Sequence, residues 1–202
     1  MTAEGKPTPQ DALNTLREKL AQVAEEYANG SLNSSQYNAI YRYYSEKRAL
    51  LEHILHTNPE STTWQAIAAQ DDTPFLREQF ASKLVYCAVF RRGETSPLLT
   101  EGKIPRKVAE ALYKTLQTLW DGGQWRRGIA RKSLGDGVWL MLCLGEQAMT
   151  VTVFYLPPSH QQYQRVRAAH EDFEQANGRL LKRNIAPERL VFPQRALFDG
   201  RQ

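Results

Sequence analysis

Two nearly uninterrupted apolar runs, Val138–Leu144 (VWLMLCL) and Met149–Leu156 (MTVTVFYL), meet at Gly145-Glu146-Gln147. Runs this short, rich in β-branched and aromatic residues and bounded by turn formers, are strands rather than helices. Just upstream, Gly135-Asp136-Gly137 carries the Asp-Gly pair of a tight hairpin. It makes Gln124–Leu134 a third, more basic strand. Residues 124–156 therefore predict a three-stranded antiparallel meander, around which the other elements must be arranged.

Leu84–Phe90 (LVYCAVF) predicts one further buried strand. After the turn Arg91-Arg92-Gly93-Glu94, Thr95–Thr100 predicts another, which Pro97 assigns to a sheet edge. A helix from about Pro105 to Trp120 is ended by Gly122-Gly123. Pro157-Pro158-Ser159 breaks the sheet, and a long helix follows from about His160 to Lys182. Its apolar seam is Tyr163, Val166, His170, Phe173 and Leu180, with Asn177 interrupting. A short helix from Asp72-Thr73-Pro74 to about Ser82 leads in. The expected class is α+β: a five-stranded antiparallel sheet flanked by helices, preceded by an N-terminal helical hairpin.

The hairpin occupies residues 8–56. Thr8-Pro9-Gln10-Asp11 is a helix start, and Leu13, Leu16, Leu20, Val23 and Tyr27 form one seam. Asn29-Gly30 stops that helix, and Asn33-Ser34-Ser35-Gln36 is a capping box for the next. The second helix presents Tyr37, Ile40, Tyr41, Tyr44, Leu51, Ile54 and Leu55. Residues 1–7 are expected to be disordered, 57–73 to be a linker holding one or two helical turns near Trp64, 74–185 to be the sheet domain, and 186–202 a tail that packs back on it.

At 202 residues, with 42% hydrophobic and 24% charged side chains, the chain has enough apolar material for a core without metal or disulfide staples. No apolar run approaches a membrane span, and no signal peptide is expected. Cys87 and Cys143 both sit inside strands, which fits reduced core thiols and a cytoplasmic protein. Charge is uneven. Residues 1–100 carry 10 basic and 12 acidic side chains, and residues 101–202 carry 16 and 10, net −2 and +6. The surplus concentrates in Lys103, Arg106, Lys107, Lys114, Arg126, Arg127, Arg131 and Lys132. A patch of this kind attracts nucleic acid, anionic lipid or an acidic protein. On a sheet edge, the same residues protect against unwanted strand pairing. No nucleic-acid-binding motif accompanies them, so nucleic acid is not the expected partner.

Catalytic chemistry finds no foothold. His53 and His56 lack further ligands at metal-binding spacing. Thr100-Glu101-Gly102-Lys103 lacks the spacing of a phosphate loop. The adjacent acids Asp71-Asp72 and Glu25-Glu26 do not face each other. No enzyme activity, metal or cofactor is expected.

The element order helix, two strands, helix, three strands, helix resembles the Roadblock or dynein light-chain type of domain, of the longin-profilin-like group, over about residues 74–182. Its carriers are the first strand with its Arg91-Arg92-Gly93-Glu94 turn, the helix 105–120 and the meander 124–156. Thr95-Ser96-Pro97-Leu98-Leu99 departs from the "gly-leu-val" style of that family's second strand. Asn29–Tyr37 similarly resembles a SHOCT-type helical hairpin, whose role is oligomerisation or tethering.

The Roadblock resemblance implies a non-enzymatic scaffold or regulator, homodimeric through the helix and the meander's edge strand, with a small Ras-like GTPase as one class of partner. Val108, Ala109, Leu112, Tyr113, Leu116 and Trp120 make the helix apolar over more than half its circumference. They are the expected interface, covered by a second chain or by the hairpin. Alternative expectations are a GAF- or PAS-like small-molecule sensor, a nucleic-acid binder acting through the basic patch, and a subunit of a larger assembly.

Overall fold

The computed structural model describes residues 8–122, 125–183 and 185–199, arranged as two compact units that part between Ala81 and Ser82. The expected disorder of 1–7 and the Gly123 helix stop lie outside the described residues.

In the N-terminal unit, α1 (Pro9–Ala28) begins at Thr8, whose hydroxyl accepts the Asp11 N–H at 3.2 Å. The Asp11 carboxylate in turn accepts the Thr8 N–H at 2.9 Å. The Thr8 hydroxyl, donating to the Asp11 carboxylate at 2.7 Å, and then the Thr8 N–H hold the Asp11 carboxyl below its ordinary range. The second helix, α2 (Ser34–Thr57), is boxed in the same way by Asn33 and Gln36. Leu13, Leu16, Leu20 and Val23 bury against Ile40, Tyr44 and Leu51. Tyr41, expected on this seam, is 40% exposed, and the seam position between Tyr44 and Leu51 belongs to Lys47.

The expected linker 57–73 is instead part of this unit. It forms α3 (Trp64–Ala69), which buries Trp64 in the hairpin core, and Asp71 pairs with Lys19 at 2.9 Å. The next helix, α4 (Thr73–Gln79), expected to open the sheet domain, belongs here too. The α2 caps explain why. Asn33 donates from Nδ2 to the Phe80 carbonyl at 2.8 Å, and Gln36 donates from Nε2 to the Arg77 carbonyl at 2.7 Å. Two side chains that cap the start of α2 thus also satisfy carbonyls at the end of α4. With Asn33 only 2% exposed, Asn33→Ala is expected to cost about 1–3 kcal/mol in chemical denaturation of the full chain. Asn33→Asp keeps the capping oxygen but not the donor, and should recover only part of that.

The C-terminal unit is a five-stranded antiparallel sheet in the order β2-β1-β5-β4-β3. Its strands are β1 (Lys83–Arg91), β2 (Pro97–Gly102), β3 (Gly128–Gly135), β4 (Val138–Leu144) and β5 (Ala148–Tyr155). Between β3 and β4, Asp136 and Gly137 both have positive φ, 50° and 73°, as the tight hairpin requires. Proline-bearing β2 is an edge strand, as expected.

The pleat of the central strands feeds two cores. Ala88, Phe90, Leu140, Leu142, Met149, Val151 and Val153 face α5 (Arg106–Asp121) through Leu112 and Leu116. Val89, Met141, Cys143 and Phe154 face α6 (His160–Lys182) through Val166 and Phe173. Helices therefore cover both faces.

The α6 seam differs in two respects from expectation. Asn177 does not interrupt it but lies on it, fully buried, and Leu181 rather than Leu180 is the buried leucine. Asn177 donates to the Phe173 and Val191 carbonyls at 2.9 and 2.7 Å and accepts the Val191 N–H at 2.9 Å. That staple holds the tail on the sheet unit. Phe192 stacks on Phe173, and Gln194 is wholly buried.

Candidate interaction surface

The six residues expected to form an interface on α5 divide between two environments. Leu112 and Leu116 are buried in the sheet core, and Val108 and Trp120 pack half-buried against it. Ala109 is half-buried and Tyr113 is 58% exposed. The Trp120 ring stands edge-on to Phe90, with centroids 5.8 Å apart, and to Tyr113 at 6.3 Å. It links the core to the outer face of the helix. The Trp120 indole N–H is buried without an acceptor among the described residues.

Between α5 and β3 runs a cleft of about 470 Å³, floored by Leu140 and Leu142 and walled by Leu119, Ala130 and Lys132. On its far side β3 is the outermost strand, so the edge turned away from β4 is unpaired within the sheet. The cleft and the open edge lie on the flank of α5 that carries Thr115, Thr118 and Leu119, whereas Tyr113 lies on the other flank, beside Trp120 and Phe90 of β1.

The basic residues do not converge. Arg127 pairs with Glu146 at the start of β3, and Lys107 pairs with Asp136 just past its end, both at 2.9 Å. Eight strand residues separate them, about 26 Å of extended chain. The pleat sends Arg131 and Lys132 to opposite faces. Arg131 lies over the Tyr163 ring at 5.2 Å, while Lys132 lines the α5 cleft. Arg106 is held by Glu110 at 2.9 Å. Lys103, Arg126 and Lys132 make no ion pair among the described residues. The result is a spaced row of charge along an open strand edge, the arrangement that discourages indiscriminate pairing.

A buried polar network occupies the α6 face. Thr150 Oγ1 lies 2.9 Å from His170 Nδ1 and accepts from Gln194 Nε2 at 3.2 Å. His170 also lines a cavity of about 320 Å³ with Arg127, Arg167, Glu171 and Glu174. The charges there are already used. Arg167 holds Glu171 at 2.8 Å, and Glu174 accepts three backbone N–H groups of the β4–β5 turn.

Burial pulls the His170 pKa down, against the opposing pull of Glu174 and Glu171. The unfolded chain, with an ordinary pKa of about 6.5, then binds the proton more readily than the folded chain. Stability is full above that value and falls as pH drops through it toward the folded pKa. The loss of unfolding free energy between about pH 7.5 and 5 should therefore shrink in His170→Gln.

Gln194 is not announced in the sequence, and Glu174 stands out there only as the acid four residues past His170, with nothing to show that it reaches the β4–β5 turn. Neither has a periodic or motif signal, although the Gly145 of the turn that Glu174 grips is such a trace. Cys87 and Cys143 are buried free thiols that burial pushes up to about 12, so neither is a thiolate at neutral pH. His53 and His56 are exposed on α2, and the described residues contain no cluster of three metal-binding side chains. Among the described residues no helix is long and apolar enough to cross a membrane. Comparison with protein-family models, with curated proteins and with solved structures finds no match.

Proposed function

We propose that the C-terminal unit is a non-enzymatic protein–protein interaction module, Roadblock-like in plan, which pairs with a second copy of itself and acts in the cytoplasm as a scaffold or regulator. The observation that carries this reading is the unpaired β3 edge with the apolar cleft beside it, while exposed Tyr113 adds an aromatic on the other flank of the same helix. A free edge offers backbone donors and acceptors to a matching strand, and the cleft beside it offers apolar area to whatever that strand carries. The placement of β3 at the outside of the sheet supports the resemblance, which implies pairing through this helix and this strand. The N-terminal hairpin would add contacts or a tether. A small Ras-like GTPase is the first class of client to offer the dimer.

Sedimentation equilibrium on the full chain tests the reading. A dimer dissociating in the micromolar range is expected, weakened about tenfold or more by Tyr113→Glu, since aromatic residues dominate such contacts. A dimer indifferent to Tyr113→Glu would mean that another face pairs.

A further inference from the structure

The N-terminal unit contains a cleft of about 530 Å³ between α1, α2 and α3, within the size range of small-molecule sites. Ala12, Leu16, Trp64, Ala68 and Ala69 give it apolar walls, and Lys19 and Lys47 both line it. Lys47 is the unusual member. It holds a core position of α2 and is only 8% exposed. Its ammonium donates to the Gln70 carbonyl and, at 3.5 Å, to the Tyr43 hydroxyl, both neutral acceptors. No carboxylate among the described residues lies within ion-pair distance of it.

The acids nearby are committed elsewhere. Asp11 is bound to Thr8. Asp71 accepts from Lys19 at 2.9 Å, from the Thr73 N–H at 3.0 Å and from the Tyr44 hydroxyl at 3.3 Å. Asp72 accepts from Gln70 at 2.8 Å. An ammonium has three protons to donate, so Lys47, which also lies over the Tyr43 ring at 5.2 Å, retains one beyond the two in hydrogen bonds. A buried cation without an anionic partner is costly, and a leucine or methionine would fill the seam more cheaply if packing were its only purpose. Burial and the neighbouring Lys19 charge also pull the Lys47 pKa below its ordinary range, against the opposing pull of Asp71 and Asp72. An arriving anion would relieve both effects.

We infer that this cleft binds a small organic acid, with its carboxylate on Lys47 and its apolar body against Leu16, Trp64 and the α3 alanines. Calorimetric titration of the full chain with 3-phenylpropionate and with its neutral amide tests the inference. The acid is expected to bind about tenfold or more tighter than the amide, and Lys47→Gln to remove that preference while leaving the melting transition cooperative. Ala68→Phe keeps both lysines and enlarges an exposed wall residue, so it should abolish binding of the acid without altering the melting temperature. Equal affinity for acid and amide, no heat from the acid up to about 10 mM, or full acid binding by either folded variant would overturn the assignment.

Discussion

Glu174→Ala destabilises the C-terminal unit by about 3 kcal/mol, seen as a fall of about 10 °C in melting temperature. The size of the effect follows from what one carboxylate does. It reaches from α6 to the turn between β4 and β5 and accepts the N–H groups of Glu146, Gln147 and Ala148 at 3.0, 2.7 and 2.9 Å. Its removal leaves three donors without their acceptor in a turn whose Ala148 pairs with Arg91 of β1 and is fully buried beside Phe173 and Leu181 of α6. Glu174→Gln keeps one acceptor oxygen and should lose about half as much.

The turn itself is shaped around that carboxylate. A Cβ added at Gly145 would stand 2.1 Å from a Glu174 oxygen. Gly145→Ala must therefore push the carboxylate off its donors. The two substitutions share one mechanism, so Gly145→Ala should cost much less in a Glu174→Ala background than in the wild type. A double-mutant cycle by thermal unfolding measures this coupling, and strict additivity would contradict it.

Leu116→Glu is expected to unfold the C-terminal unit, a loss of about 4 kcal/mol or more, because it places a carboxylate 3% exposed between α5 and the sheet. Tyr113→Glu lies three residues away on the same helix but is 58% exposed in the wild type, and should change stability by less than about 1 kcal/mol. Circular dichroism of the two variants separates the roles that a single apolar helix hides. Leu112 and Leu116 belong to the fold, whereas Tyr113 is available to a partner. A folded, cooperative Leu116→Glu protein would contradict the placement of α5 on the sheet.

The α+β plan was legible because its signals are local. The meander is announced by two apolar runs and an Asp-Gly turn, and the N-terminal helices by capping residues whose side chains make the expected bonds. The strand order is consistent with Pro97 on one edge and the basic strand on the other. The failures come from long-range placement. Asn33 and Gln36 announce a helix start, but nothing local says that their spare donors reach Phe80 and Arg77, and so the unit boundary moved from 73 to 81. The polar residues 57–73 looked like a linker because Trp64, its one large anchor, has no periodic neighbours.

Polar residues on apolar seams were misread for a related reason. Asn177 and Lys47 fall at core positions by spacing, yet composition argues that such side chains face water. The gap in the 3-4 rhythm between Tyr44 and Leu51 was the available clue to Lys47. The interface residues on α5 were legible as a wide apolar band, but a band does not say which of its edges the sheet covers. The basic patch looked compact because its members are close in sequence. Extended β3 then spread them over about 26 Å and two faces.

The central claim is that α5 and the β3 edge pair with a second copy of the chain. Light scattering coupled to size exclusion, on the full chain and on Tyr113→Glu side by side at about 50 μM, tests it most directly. Twice the 23.1 kDa chain mass is expected for the wild type, and a shift toward one chain mass for the folded variant. A wild-type protein that elutes at a single chain mass at this concentration would contradict it.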